Sequence, residues 1–273
     1  MFDMFQLDFM VYAFVATLIT GILLSYLGMH VVRRGIVFVD LALGQISMLG
    51  VAVGALLGFW QHLIPILFTL LGALLMSMIT VRDKRLKQEA IIGIVYAIAS
   101  ALTVLVISKT PHGDADIQEV LFGSILAVSP EEIRTVATVF AAIALLQAVF
   151  FRRFFKITDA LSRDEDVGMF NLWNGLFFIS IGLAIVYAVK VDGVIPVFSF
   201  LIIPTVSGIL LFRSEWLVLA TAFTVCLLSA FLGLYCSFTY DFPAGSSIVA
   251  VMGGLFALSA VIRGVLRYIV FKR

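Results

Sequence analysis

The chain has 273 residues, 62% of them hydrophobic and 13% charged, with a net charge of +1 and a mean hydropathy of +1.15. A soluble domain carries roughly a quarter charged residues; half that share cannot coat a water-facing surface, so lipid must be the main solvent. The balanced charge offers no attraction to nucleic acid, and the spacing of the two cysteines, Cys226 and Cys236, matches no metal or redox motif, so both read as small buried hydrophobes.

Met1 to Met4 carry no basic residue and no small-residue cleavage site follows, so the first apolar run is expected to remain as a helix. A bilayer span needs about 20 apolar residues in helical form. On that measure, helices are predicted near residues 9–30, 36–59, 63–80, 90–108, 131–151, 172–190, 194–212, 216–237 and 246–268. A shorter apolar piece at 117–128 fits a re-entrant turn or an interfacial helix, which leaves eight to ten helices open. The fold class is therefore all-α, a polytopic membrane helix bundle of about nine spans.

Nine spans place the basic loops on one side. Arg33 and Arg34 follow the first helix; Arg82, Lys84, Arg85 and Lys87 the third; Arg152, Arg153, Lys156 and Arg163 the fifth; and Arg213 the seventh, while Arg263, Arg267, Lys272 and Arg273 close the chain. The other side holds chiefly Lys109 and Lys190. Positive loops stay in the cytoplasm, which predicts a plasma (inner) membrane protein with its N-terminus outside and its C-terminus inside. No repeat, linker or low-complexity tract divides residues 1–273, which read as a single domain.

The chain lacks His-Glu-x-x-His, Gly-x-Ser-x-Gly and paired Asp-rich motifs, so no catalytic set is predicted. It also contains no Gly-Lys dipeptide, hence no phosphate-cradling loop. If the chain moves a solute uphill, nucleotide is hydrolysed on another subunit, and this chain binds no cofactor of its own.

Residues 33–54 are the most informative. A basic pair, Arg33 and Arg34, precedes Asp40, Gln45 and Ser47 inside an otherwise apolar helix, which continues through Gly50, Gly54 and Gly58. A charged side chain within a span is costly and therefore a functional candidate, although Asp40 lies near enough to the helix start to pair with Arg33 or Arg34. The glycine series lets a neighbouring helix approach closely.

At this segment the sequence resembles the membrane subunits of zinc and manganese ABC importers, which carry a basic pair, a Phe, then Asp-Ala-x-Ser-His and a Leu-x-Gly run. Gln88 to Gly93 resembles that family's fourth-helix start, Val120 to Ser129 its Leu-Phe-Gly segment, Gly193 to Pro204 its Leu-Leu-Ile-Pro segment, and Asp241 to Gly245 its Asp-x-Pro-Ala-Gly. The resemblance implies a permease without bond chemistry. It would work with an ABC ATPase subunit, an extracytoplasmic solute-binding protein and a second permease copy, as homo- or heterodimer, by alternating access.

The metal motif departs from that family. Gln45 stands where the family has its His, Leu41 where it has its Asp, and the acid lies one place earlier at Asp40. A four-residue step separates two helical side chains by about 40°, a five-residue step by about 140°. Asp40 and Gln45 are thus not expected to share one ion from one helix. Asp40 remains the candidate metal ligand, with Asp40, Gln45 and Ser47 as candidate pathway residues.

Residues 158–168 match the position of the family's coupling helix, which implies ATPase contacts by Asp159, Arg163, Asp164, Glu165 and Gly168. Thr158 or Asp159 is placed to cap a short helix and Gly168 to end it. Outside, His112, Asp114 and Asp116 cluster in a polar turn, and His30 and His62 read as interfacial helix-end residues. A second reading, a channel or ion-coupled carrier without an ATPase, would need ionisable groups on broken helices near the midplane. The only obvious break is Pro196 to Pro204.

Overall fold

Backbone amides have no water to bond inside a bilayer, so long apolar runs satisfy themselves as helices. The computed structural model describes residues 3–79, 87–109, 125–163, 165, 167–168 and 170–271, and among them there are helices and no strands. A short 3-10 turn at Asp3–Gln6 leads into α1 (Asp8–Arg34), α2 (Val39–Leu57), α3 (Leu63–Ser77), α4 (Gln88–Ile107), α5 (Pro130–Val149), α6 (Phe151–Ser162), α7 (Leu172–Asp192), α8 (Val194–Leu211), α9 (Glu215–Tyr240) and α10 (Ala244–Phe271). Eight of these are long and apolar enough to cross a membrane. Apolar α3 has only 15 residues, about 22 Å of rise, and reaches part of the way. The nine predicted apolar helices therefore all form.

The fifth and sixth elements differ from expectation. The basic stretch from Arg152 to Lys156 reads as a loop after the predicted helix 131–151, yet the chain pauses only at Phe150 before re-entering a helix at Phe151. The reason is its period: Phe151, Phe154, Phe155 and Thr158 share one face, with Phe154, Phe155 and Thr158 buried, while Arg152, Arg153 and Lys156 are exposed. Amphipathicity at 3.6-residue spacing holds α6 against the bundle despite its charge. The predicted 158–168 helix thus starts earlier and stops sooner. Thr158 and Asp159 are interior to α6 rather than its cap, and Gly168 lies beyond its end. The predicted re-entrant piece at 117–128 falls mostly outside the described residues; its last part is a 3-10 turn at Ile125–Ala127.

Helix α1 is the hub, packed against α5, α6, α7, α8 and α9. Its contact with α8 is close enough that a Cβ at Gly28 would run into the Leu201 carbonyl oxygen and one at Gly21 would meet Phe200 at 2.9 Å. Small residues substitute here for the hydrophobic drive that lipid removes. Pro204 sits inside α8 without an amide hydrogen, so the Phe200 carbonyl loses its helical donor. Ser25 of α1 supplies one, donating from its hydroxyl at 3.3 Å, while Thr205 donates back to the Ser25 carbonyl at 2.9 Å. The proline break is thus repaired across the α1–α8 contact.

Helix ends follow their residues. Gly35 closes α1 in the left-handed region at φ 67°, its amide and that of Ile36 donating to Val32 and Val31. Ser129 and Glu132 form a reciprocal capping box before Pro130, starting α5.

Candidate functional site

The polar residues of α2 lie inside the helix bundle. Asp40 is 3% exposed, Gln45 9% and Ser47 5%, on a helix packed against α3, α4, α7 and α8. Asp40 does not pair with the basic residues that precede it. Its Oδ1 has no hydrogen-bond partner, while Arg33 is committed to Asp159 and Glu215 and Arg34 to Thr158 and Asn174. Around Gly44 a Cβ would meet nothing within 4 Å, so α2 leaves open space between the Leu41 and Gln45 turns.

The glycine series divides. A Cβ at Gly50 would lie 2.6 Å from the Pro65 Cα, and one at Gly54 3.3 Å from the Gln61 Cα, so both mark the α2–α3 approach. Gly58 meets nothing; with φ 72° it ends α2 instead.

A second constellation sits at the basic end of α1 and was only partly legible. His30 is fully buried, not interfacial, because α6 covers it: its Nδ1 lies 2.8 Å from the Thr158 hydroxyl, and its ring stacks edge-on against Phe155 at 4.6 Å. One turn on, Arg34 donates from Nε to the Thr158 hydroxyl at 3.0 Å and from Nη1 to the side-chain Oδ1 of Asn174 at 3.0 Å. Its guanidinium lies 3.8 Å from the Phe177 ring centroid. Asn174 in turn donates to the Ser77 carbonyl at the end of α3, at 3.0 Å. On the outer rim Arg33 bridges Asp159 and Glu215, both at 2.5 Å. One cluster therefore ties α1, α3, α6, α7 and α9 together. Its signal in the sequence is the i, i+4 pair His30 and Arg34 facing the 151–158 period, a relation that needs both helices to be seen.

Beyond α6 the chain is polar. Arg163 caps the helix and is exposed, as is Glu165, whose amide donates to Ala160 at 3.0 Å; Gly168 takes φ 79°. Asp164 lies outside the described residues, as do His112, Asp114 and Asp116. His62 is exposed just before α3. The structure does not bring Asp40 to the coupling candidates: α6 packs on α1, α5 and α7, and α7 is the one helix it shares with α2 as a major neighbour.

Among the described residues no group of three or more His, Cys, Asp or Glu side chains could hold a metal ion. The contacts of His30, Arg33 and Arg34 join α6 to the hub helix.

The signature of the ABC 3 transport family matches residues 6–263. An uncharacterized membrane protein of Cyanophora paradoxa is 29% identical over 261 residues, covering 92% of this chain and 85% of the relative. The manganese transport system membrane protein MntC of Halalkalibacterium halodurans is 26% identical over 248 residues, covering 90% and 85%. Among solved structures, PsaBC from Streptococcus pneumoniae in complex with Fab superposes with a TM-score of 0.80 at 26% identity, covering 98% of this chain and 96% of that one.

Proposed function

The chain belongs to the ABC 3 transport family, and from that premise we propose that it is the membrane-spanning permease subunit of an ATP-binding-cassette importer for a divalent metal ion of the manganese class. The observation that carries this reading is the end-to-end match to the family and to a manganese-system relative, with topology shared over 98% of the chain.

Two permease copies, or one copy and a similar partner, face each other across the pathway, fed by an extracytoplasmic binding protein. The basic end is cytoplasmic by its Lys and Arg content, which puts α6, Arg163 and Glu165 within reach of an ATPase dimer. ATP binding closes the ATPases and pulls on that turn. Because His30, Arg33 and Arg34 clamp α6 to α1, the pull is delivered to the helix that contacts most of the bundle. Asp40, Gln45 and Ser47 line the ion's route through α2 once the protomers move. A neutral amide at Gln45 is a poorer zinc ligand than imidazole and suits a harder cation, which favours manganese over zinc.

The test is uptake by the full complex in proteoliposomes. Manganese accumulation is expected to require ATP inside, the ATPase and the binding protein together. Accumulation by this chain without an ATPase would replace the reading with a channel or carrier, and labelling Arg163 from the outer face would remove the coupling role.

A further inference from the structure

We propose that Asp192, with the hydroxyls of Thr17 and Thr20, forms a binding site for a small monovalent cation in the interior of the protomer, separate from the α2 route. Asp192 is the last residue of α7, and Gly193, at φ 82° and ψ 165°, turns the chain straight into α8 without a loop. Only glycine adopts that backbone cheaply. The turn keeps Asp192 under the bundle surface, where its exposure is 0%.

Neither carboxylate oxygen has a hydrogen-bond partner, and among the described residues Asp192 has no ion pair. The nearby Lys190 is occupied at the surface by Glu132 at 3.0 Å. Facing Asp192 from α1 are Thr17 and Thr20, both 0% exposed, close enough to interact with the carboxylate but not in hydrogen-bond geometry. Thr20 spends its proton on the Ala16 and Thr17 carbonyls at 3.1 Å, leaving its oxygen lone pairs free. The Thr17 hydroxyl has no partner at all.

A buried carboxylate is tolerated when paired or when it coordinates a cation, and in a membrane such a residue is a functional candidate. The ligands gathered here are hard oxygens, which suit alkali and alkaline-earth ions and not soft metals. They carry one negative charge, so a monovalent ion leaves the site neutral, whereas a divalent ion would leave a positive charge buried. Close packing at Gly21, where a Cβ would collide with the Cys226 sulfur, favours a small ion, with sodium as the probe. The cation would fasten α7 and its junction with α8 to hub helix α1.

The full-length chain in lipid nanodiscs is melted in sodium, potassium and choline chloride at matched ionic strength. Sodium is expected to raise the midpoint by a few degrees, rising with log concentration; potassium should do less and choline nothing. Asp192→Asn and Thr17→Val should each flatten the sodium response, while manganese binding to the complex is unchanged. A wild-type midpoint that is the same in sodium and choline overturns the proposal whether or not the variants fold, since the carboxyl is then simply protonated. An Asp192→Asn chain that keeps the sodium response overturns it equally.

Discussion

His30 Nδ1 and the Thr158 hydroxyl lie 2.8 Å apart, both fully buried and separated by 128 residues of chain. The contact joins the hub helix to the amphipathic helix that precedes the polar turn, and Arg34 shares the same hydroxyl at 3.0 Å. A single threonine oxygen therefore serves two buried donors or acceptors from successive turns of α1.

Replacing Thr158 with Val keeps the shape of the side chain and removes that oxygen. An orphaned buried group costs about 1–3 kcal/mol, more for a charged one, and Arg34 already has one nitrogen, Nη2, without a partner. The variant is expected to lose stability by at least that range in a thermal melt. ATP-dependent uptake should fall further than the melt explains.

The rim pairs of Arg33 should behave differently. Arg33 is 29% exposed, and its partners Asp159 and Glu215 are 40% and 45% exposed, so each pair is worth roughly 0.2–1 kcal/mol. Asp159→Ala and Glu215→Ala are expected to fold normally. If the clamp transmits motion, Asp159→Ala lowers uptake while ATP hydrolysis persists, which parallel assays of the two rates will check.

Glycine-to-alanine changes on α2 should split by position. Gly50→Ala drives a methyl into the Pro65 backbone at 2.6 Å, whereas Gly44→Ala meets nothing within 4 Å. Overpacking costs about 1–3 kcal/mol, so the first variant should melt lower and the second near wild type, read by fluorescence-detected size exclusion after heating.

Ser25→Ala removes the donor that satisfies the Phe200 carbonyl opposite Pro204. Interhelical hydrogen bonds in membranes average roughly 0.6 kcal/mol and reach about 1.7. A loss near the upper end is expected here because proline leaves that carbonyl no alternative. Ser25→Thr, which keeps the hydroxyl, serves as the control in the same melt.

Leu41→Asp combined with Gln45→His would recreate a carboxylate and an imidazole about 40° apart on one helix face. The double variant is expected to shift competition in favour of zinc over manganese in uptake by the assembled complex. An unchanged ion preference would show that α2 does not set selectivity.

The amino-acid sequence alone determined the helical membrane fold, because an apolar run of 20 residues has one way to satisfy its backbone in lipid. All nine apolar helices formed near their predicted limits. It also marked Asp40, Gln45 and the polar turn after α6 as exceptional, since charge inside or between spans stands out by composition. Tertiary structure decided which polar groups meet. Asp40 avoids Arg33 and Arg34 because α6, α7 and α9 claim those guanidiniums first, and the basic stretch from Arg152 to Lys156, which reads as a loop, is helical because the aromatic face of α6 finds α1 and α7. His30 reads as a helix-end residue in the linear chain, and Asp192 falls between the predicted helices 172–190 and 194–212. Only packing shows that both are sealed inside, because burial depends on what the neighbouring helices cover, and no local pattern carries that information.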